Sequence, residues 1–219
     1  MNPIGLRIAS LAISLLAAGP LAAEQQAAYP FALLPLPEKG PVPVKNCNWC
    51  HGTSAQGYAT APRLAGQRAA YIERQIDAFR AHRRDNPLSE QYMWNASANL
   101  DPETIRALAD YYAQQAPRAA ADGNRALFDQ GRALYQQGVA EANIVACTVC
   151  HGPNAEGARD IPRLGGLSYR YLKRRMEEWK EGYHPTAAPM PQVTRFLSAS
   201  EIEALASYLS FVDEQSASK

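Results

Sequence analysis

Cys47-Asn48-Trp49-Cys50-His51 and Cys147-Thr148-Val149-Cys150-His151 decide how this chain is read. Each spells C-x-x-C-H, the spacing at which two thiols on one turn form thioether bonds to the two vinyl groups of a haem. The histidine that follows is then delivered to the iron as its proximal ligand. The two words use all four cysteines and lie one hundred residues apart. A zinc ribbon also uses C-x-x-C, but its pairs stand close together in sequence. A thioredoxin-like pair belongs to a strand–helix unit, and no strand pattern surrounds these words. The expected cofactors are therefore two covalently bound haem c groups, attached through Cys47, Cys50, Cys147 and Cys150.

The N-terminus reads as an export signal over residues 1–23. Arg7 is the sole charge before Glu24, an apolar stretch runs from Ile8 to Ala18, and small residues follow to Ala23. The apolar run is shorter than the roughly 20 residues a spanning helix needs. Cleavage near Ala22 or Ala23 is expected, with retention as an anchor the other reading, and the periplasm is the expected compartment. Of 22 Lys and Arg side chains Arg7 leaves with the signal, against 21 Asp and Glu. A near-neutral chain without a concentrated basic face argues against nucleic acid as a partner. Roughly 95 residues per haem is small for a core of side chains alone, so the haems supply buried surface.

Laying residue n on n+100 aligns more than the haem words. Gly57 meets Gly157, Pro62-Arg63-Leu64 meets Pro162-Arg163-Leu164, Gly66 meets Gly166, Tyr71 meets Tyr171 and Phe79 meets Trp179. After a three-residue shortening, Met93 meets Met190, and each has a leucine seven residues on, Leu100 and Leu197. One unit has been duplicated. The boundaries follow: a first domain over 24–117 and a second over 118–219, joined at Ala116–Gly123. Each unit is predicted to have a helix at the haem word, one near 68–83 or 168–181, and a last one over 102–115 or 199–212. Asp101 before Pro102 signals an N-cap with a first-turn proline, and Ser198 with Glu201 a capping box. The fold class is all-α: two tandem domains, each wrapped around a haem.

The sixth iron position separates a carrier from an enzyme. Met1 leaves with the signal and Met176 sits inside a helix as core filling. Met93 and Met190 occupy matching loops before the last helices, Met190 between Pro189 and Pro191. They are the expected partners of His51 and His151, and His/Met ligation leaves no open site on iron. His82, among arginines, and His184, before Pro185, are the competing ligands but lack counterparts in the repeat. Arg63 and Arg163 are candidates for haem propionate contacts, with a solvated loop arginine as the alternative. Lys173-Arg174-Arg175 reads as a docking patch or, with Glu177 and Glu178 close by, as a charged helix face. Trp49 is expected to pack near the haem edge or the other domain, and Tyr71 and Tyr171 to meet a propionate or fill core.

Each half resembles a class I cytochrome c domain, and the whole resembles the two-domain dihaem cytochrome c4 family. The residues that carry this are the two haem words, Pro62-Arg63-Leu64-Ala65-Gly66-Gln67, Tyr71-Ile72-Glu73-Arg74-Gln75 and Arg84-Asp85-Asn86 before Met93. In the second half they are Pro162-Arg163-Leu164-Gly165-Gly166, Tyr171 and Pro189-Met190. The resemblance implies a periplasmic respiratory electron carrier with His/Met ligation at both irons and close haems about a pseudo-twofold axis. It implies redox-protein partners, such as a terminal oxidase, reductase or dehydrogenase, and room for peripheral membrane association. A class I domain normally opens with a helix before its haem word. The second half has one in 124–137, whereas the first has the proline-rich 29–45, which cannot be an ordinary helix. That departure favours one alternative, the cytochrome subunit of a periplasmic dehydrogenase such as flavocytochrome sulfide dehydrogenase. A dihaem enzyme, a thiosulfate dehydrogenase or a peroxidase, would need a displaceable ligand, and the paired methionines argue against it.

Overall fold

The computed structural model describes residues 44–58 and 60–212, all within one compact unit. The export signal and nearly all of the proline-rich 29–45 segment lie outside the described residues. Helices α1 (Val44–His51), α2 (Ala69–Arg80), α3 (Trp94–Ser97) and α4 (Pro102–Ala113) make the first half, with a π-helical turn, Ser89–Met93, running into α3. The second half holds α5 (Phe128–Gln137), α6 (Thr148–His151), α7 (Tyr169–Lys180), α8 (Met190–Thr194) and α9 (Ala199–Phe211). Among the described residues the β pairing is confined to three isolated bridges. No helix among them is long and apolar enough to cross a membrane.

The predicted helix ends are where the capping chemistry puts them. Asp101 Oδ1 accepts from Thr104 N at 2.8 Å with Pro102 behind it, and Ser198 and Glu201 form the reciprocal box. In both halves the last helix is the spine. α2 packs on α4 around Ile72, Leu108, Ala109 and Tyr112, and α7 packs on α9 around Leu172, Met176, Ile202 and Leu205. The second half adds α5 across α9, and Gly131 permits that crossing: a Cβ there would run into Ala204 O and come 2.5 Å from Tyr208 Cβ.

One expectation is corrected. The methionines do not sit in loops: Met93 ends the π-helical turn and Met190 opens α8. Ala116–Gly123 is irregular, yet it is stitched down along its length. Gln56 Nε2 donates to Ala116 O at 2.9 Å, Ala120 N to Gly166 O at 3.1 Å, and Asp122 accepts from Ser168 and Tyr169 at 2.8 Å each. The halves therefore meet as packed bodies rather than as beads on a tether.

Candidate haem sites

The duplicated loop after each haem word does one visible job. Gly57 and Gly157, at φ +81° and +70°, turn the chain and donate to the carbonyls of His51 and His151 at 2.9 and 2.8 Å. A Cβ at Gly57 would come within 2.6 Å of Arg63 N, so the turn requires glycine. The returning chain then lays a proline carbonyl against each histidine. His51 Nδ1 lies 2.7 Å from Pro62 O, and His151 Nδ1 lies 3.0 Å from Pro162 O. A carbonyl only accepts, so Nδ1 carries the proton and Nε2 keeps its lone pair for a metal. Burial holds both imidazoles below the usual histidine range against the opposing pull of those carbonyls, and at His51 the Arg84 charge adds to it.

The thiols divide the same way in each word: Cys47 and Cys147 are half-buried, Cys50 and Cys150 exposed. Burial pushes the Cys47 thiol up and the Cys147 thiol to about 11. On the methionine side a second repeated device appears that sequence reading missed. Ser97 Oγ donates to Met93 O at 2.7 Å, and Thr194 Oγ1 donates to Met190 O at 2.9 Å. Both hydroxyls are fully buried and stand four residues after a half-buried methionine. The signal was available as Met-x-x-x-Ser/Thr-x-x-Leu in both halves.

These residues fit a porphyrin. Among the described residues no group of three His, Cys, Asp or Glu side chains could hold a metal by itself. Apolar side chains stand uncovered around the words: Val149 at 73% exposed, Val145 at 68% and Phe196 at 54%. A cleft of about 420 Å³ lies between Glu141–Val145, before the second word, and Gln192, Val193 and Phe196, after Met190. Arg84, 5% exposed, keeps a buried Nε without a hydrogen-bond partner, which suits an anionic group such as a haem carboxylate.

Several expected contacts are corrected. Arg63 is not a solvated loop residue. It is 4% exposed and its guanidinium donates across to the second half, Nη1 to Gly166 O at 2.9 Å and Nη2 to Gly165 O at 2.5 Å, with Arg118 O at 2.5 Å. Arg163 is buried likewise, and its Nε donates to Gly66 O at 3.2 Å. These hydrogen bonds serve the contact between halves, alongside the propionate contacts that remain expected of Arg63 and Arg163. The Lys173–Arg175 run is divided: Lys173 pairs with Glu203 at 2.8 Å, Arg174 donates to Thr60 O at 3.0 Å, and Arg175 is buried against Glu178 at 2.5 Å. Trp49 is 88% exposed and does not pack on the other half. Tyr171 accepts from Arg84 Nη2 at 3.1 Å. His82 stacks on Trp94, ring centroids 3.9 Å apart, at the surface. His184 is buried at the contact between halves, its N–H donating to Asp85 Oδ1 at 2.5 Å.

Comparison with known proteins agrees with this duplicated site. The cytochrome c family profile matches twice, at residues 38–115 and 128–212. Cytochrome c-552 of Acidithiobacillus ferridurans is 34% identical over 168 residues, 75% of this chain and 73% of that protein. A thiosulfate dehydrogenase electron acceptor of Stutzerimonas stutzeri is 34% identical over 175 residues, covering 77% and 80%. The solved structure of Acidithiobacillus ferrooxidans cytochrome c4 superimposes with a TM-score of 0.71 at 34% identity, over 76% of this chain and 98% of that one. The cofactors are two covalently bound haem c groups, with their C-x-x-C-H pairs at 47/50 and 147/150.

Proposed function

Because the chain belongs to the cytochrome c family and is a dihaem, cytochrome c4-like electron-transfer protein, we propose that it is a periplasmic respiratory carrier with His/Met ligation at both irons. His51 and Met93 hold the first iron, and His151 and Met190 the second. Bound haem c supplies a one-electron ferric/ferrous couple. The protein's part is to keep each ligand still, so that little rearranges when an electron arrives. The observation that carries this reading is the matched pair of clamps: a proline carbonyl on each histidine Nδ1 and a buried hydroxyl on each methionine carbonyl. The domain boundaries at 24–117 and 118–219, and export by a signal over 1–23, belong to the same proposal.

A specific partner is favoured by one finding. The Stutzerimonas stutzeri relative is an electron acceptor of thiosulfate dehydrogenase, and the resemblance spans both halves of this chain. We therefore assign the acceptor role to this chain and the oxidation of thiosulfate to its partner. The test is the optical spectrum of periplasmically matured protein, oxidised and reduced, with and without carbon monoxide. Two low-spin haems with the methionine-to-ferric-iron band, unmoved by carbon monoxide, are expected. A carbon monoxide adduct on the native protein would instead expose an open iron and overturn the carrier assignment. Reduction by a purified thiosulfate dehydrogenase with its substrate then checks the partner.

A further inference from the structure

Each haem word is backed by one fully buried phenol, and the two phenols come from positions that are not equivalent in the repeat. In the second half the phenol is Tyr135 of α5, whose hydroxyl donates to Gly152 O at 2.6 Å. Gly152 directly follows the ligand His151, at φ +81°, so this bond pins the turn that carries the imidazole. The main chain adds to it, since Cys147 N donates to Tyr135 O at 2.9 Å.

α5 has no counterpart among the described residues of the first half, yet Gly52 makes the same turn after His51, at φ +80°. The buried phenol there is Tyr112, and it comes from α4. Its equivalent in the repeat is Leu209, as the backbone shows: Gly66 N donates to Tyr112 O at 2.9 Å, and Gly166 N donates to Leu209 O at 2.7 Å. The Tyr112 hydroxyl lies 3.4 Å from the side-chain amide of Asn48, inside the first word. Asn48, turned so that its Nδ2 donates, reaches Val44 O and Gly52 O at 3.3 Å each. The carbonyl after the ligand histidine therefore meets a buried donor in both halves. In one half the phenol supplies it directly, and in the other the phenol backs the amide that does.

Further contacts match. Cys47 packs against the cluster that holds Tyr112, and Cys147 against the cluster that holds Tyr135. The Tyr112 ring meets Tyr111 at 5.2 Å between centroids, and the Tyr135 ring meets Tyr208, the repeat equivalent of Tyr111, at 5.6 Å. The Tyr112 hydroxyl also bonds the Cys47 sulfur, which as a thioether still accepts weakly. Ring sizes are exchanged accordingly. Where α5 supplies the tyrosine, α9 carries leucine at the matching place, and where α4 carries the tyrosine it stands in for the α5 ring. Outer partners that fix a ligating histidine orient its ring on the metal.

We propose that Tyr112 is the positioning residue of the first proximal ligand, holding the turn after His51 from α4 as Tyr135 holds the turn after His151 from α5. The inference rests on the dihaem reading, with His51 and His151 on the irons. The first site draws this support from residues within and after its word.

The test is proton NMR of the ferric, matured dihaem protein, whose haem methyl shifts report the plane of the ligand imidazole. Contacts from Trp49 and Val149, one inside each word, assign the signals to their halves. Tyr112→Phe keeps the ring and removes the hydroxyl; it should move the first haem's methyl signals and leave the second's in place. Tyr135→Phe should do the reverse. Tyr135→Leu should disturb the second haem, and adding Leu209→Tyr, which copies the arrangement of the first half, should return its signals towards the unaltered pattern. The proposal is overturned if a folded Tyr112→Phe protein leaves the first haem's signals unmoved or moves both haems alike. It is equally overturned if Leu209→Tyr fails to restore the second haem, a result that needs no Tyr112 variant to fold. Carbon monoxide binding to the unaltered protein reports separately on the carrier reading, since an open iron would overturn that reading and leave the histidine test standing.

Discussion

Gln67 joins the two halves through backbone groups, and Gln67→Leu should loosen that contact without leaving a hole. The side chain is 5% exposed. Its Nε2 donates to Arg163 O at 2.9 Å, while its Oε1 accepts from Arg163 N at 2.8 Å and from Arg68 N at 2.9 Å. It therefore pairs with Arg163 as a neighbouring strand would. The equivalent residue of the second half is Leu167, 3% exposed, so leucine suits this turn of the chain. The substitution strips a buried N–H and a buried C=O of these bonds, at about 1–3 kcal/mol each. The more apolar side chain returns about 1 kcal/mol on burial. A net loss of about 1–5 kcal/mol is expected. The assay is denaturant unfolding of the dihaem protein, followed by circular dichroism and by haem absorbance. If the halves are locked by such bonds, the wild-type transition is single and the variant's splits or moves to lower denaturant. A variant within about 0.5 kcal/mol of wild type, with coincident transitions, would refute the reasoning.

Further tests follow from single residues. Gly131→Ala should destabilise by about 1–2 kcal/mol in thermal unfolding, because a Cβ against Ala204 O and Tyr208 overpacks the α5–α9 crossing by more than the gain in helix propensity, about 1 kcal/mol. His184 is held at about 3, by burial first and then by Arg84, Arg175 and Arg74, with Asp85 opposing. Its folded value lies below its unfolded value of 6.5, so the unfolded chain takes the proton between them. This group's contribution is complete above about pH 6.5 and is lost as pH falls towards 3, with a slope of up to about 1.4 kcal/mol per pH unit. Comparing unfolding at several pH values with His184→Asn should show that slope reduced. Met190→Ala should let carbon monoxide bind one haem of the two, read as a half-amplitude change in the reduced spectrum.

Much of this protein is settled by short-range chemistry, and such chemistry is written in adjacent residues. The thioether spacing spans four positions, a cap at Asp101 or Ser198 acts on an N–H three residues on, and Gly57 and Gly157 turn a loop that closes within eleven residues on the histidine ring. Duplication made the signal stronger, since each assignment could be read twice. The all-α class, the helices, the haem words and the matched methionines were therefore legible before any coordinates. The hydroxyl clamps on the methionine carbonyls were equally local and were simply overlooked.

Tertiary structure alone decided what the charged and amide side chains are for. Arg63 meets Gly165 and Gly166, Gln67 meets Arg163, Arg84 meets Tyr171, and Asn86 Nδ2 reaches Glu178 Oε1 at 3.3 Å. Each partner lies more than eighty residues away. In sequence an arginine beside other charges reads as a solvated surface residue, because an isolated charge is costly to bury and is seldom buried. Burial becomes affordable only when the second half arrives carrying carbonyls and hydroxyls at hydrogen-bond distance. That depends on how two folded surfaces meet, a property of packing with no local signature. The same meeting buries Arg84 against Tyr171 and His184 against Asp85, each on the other half.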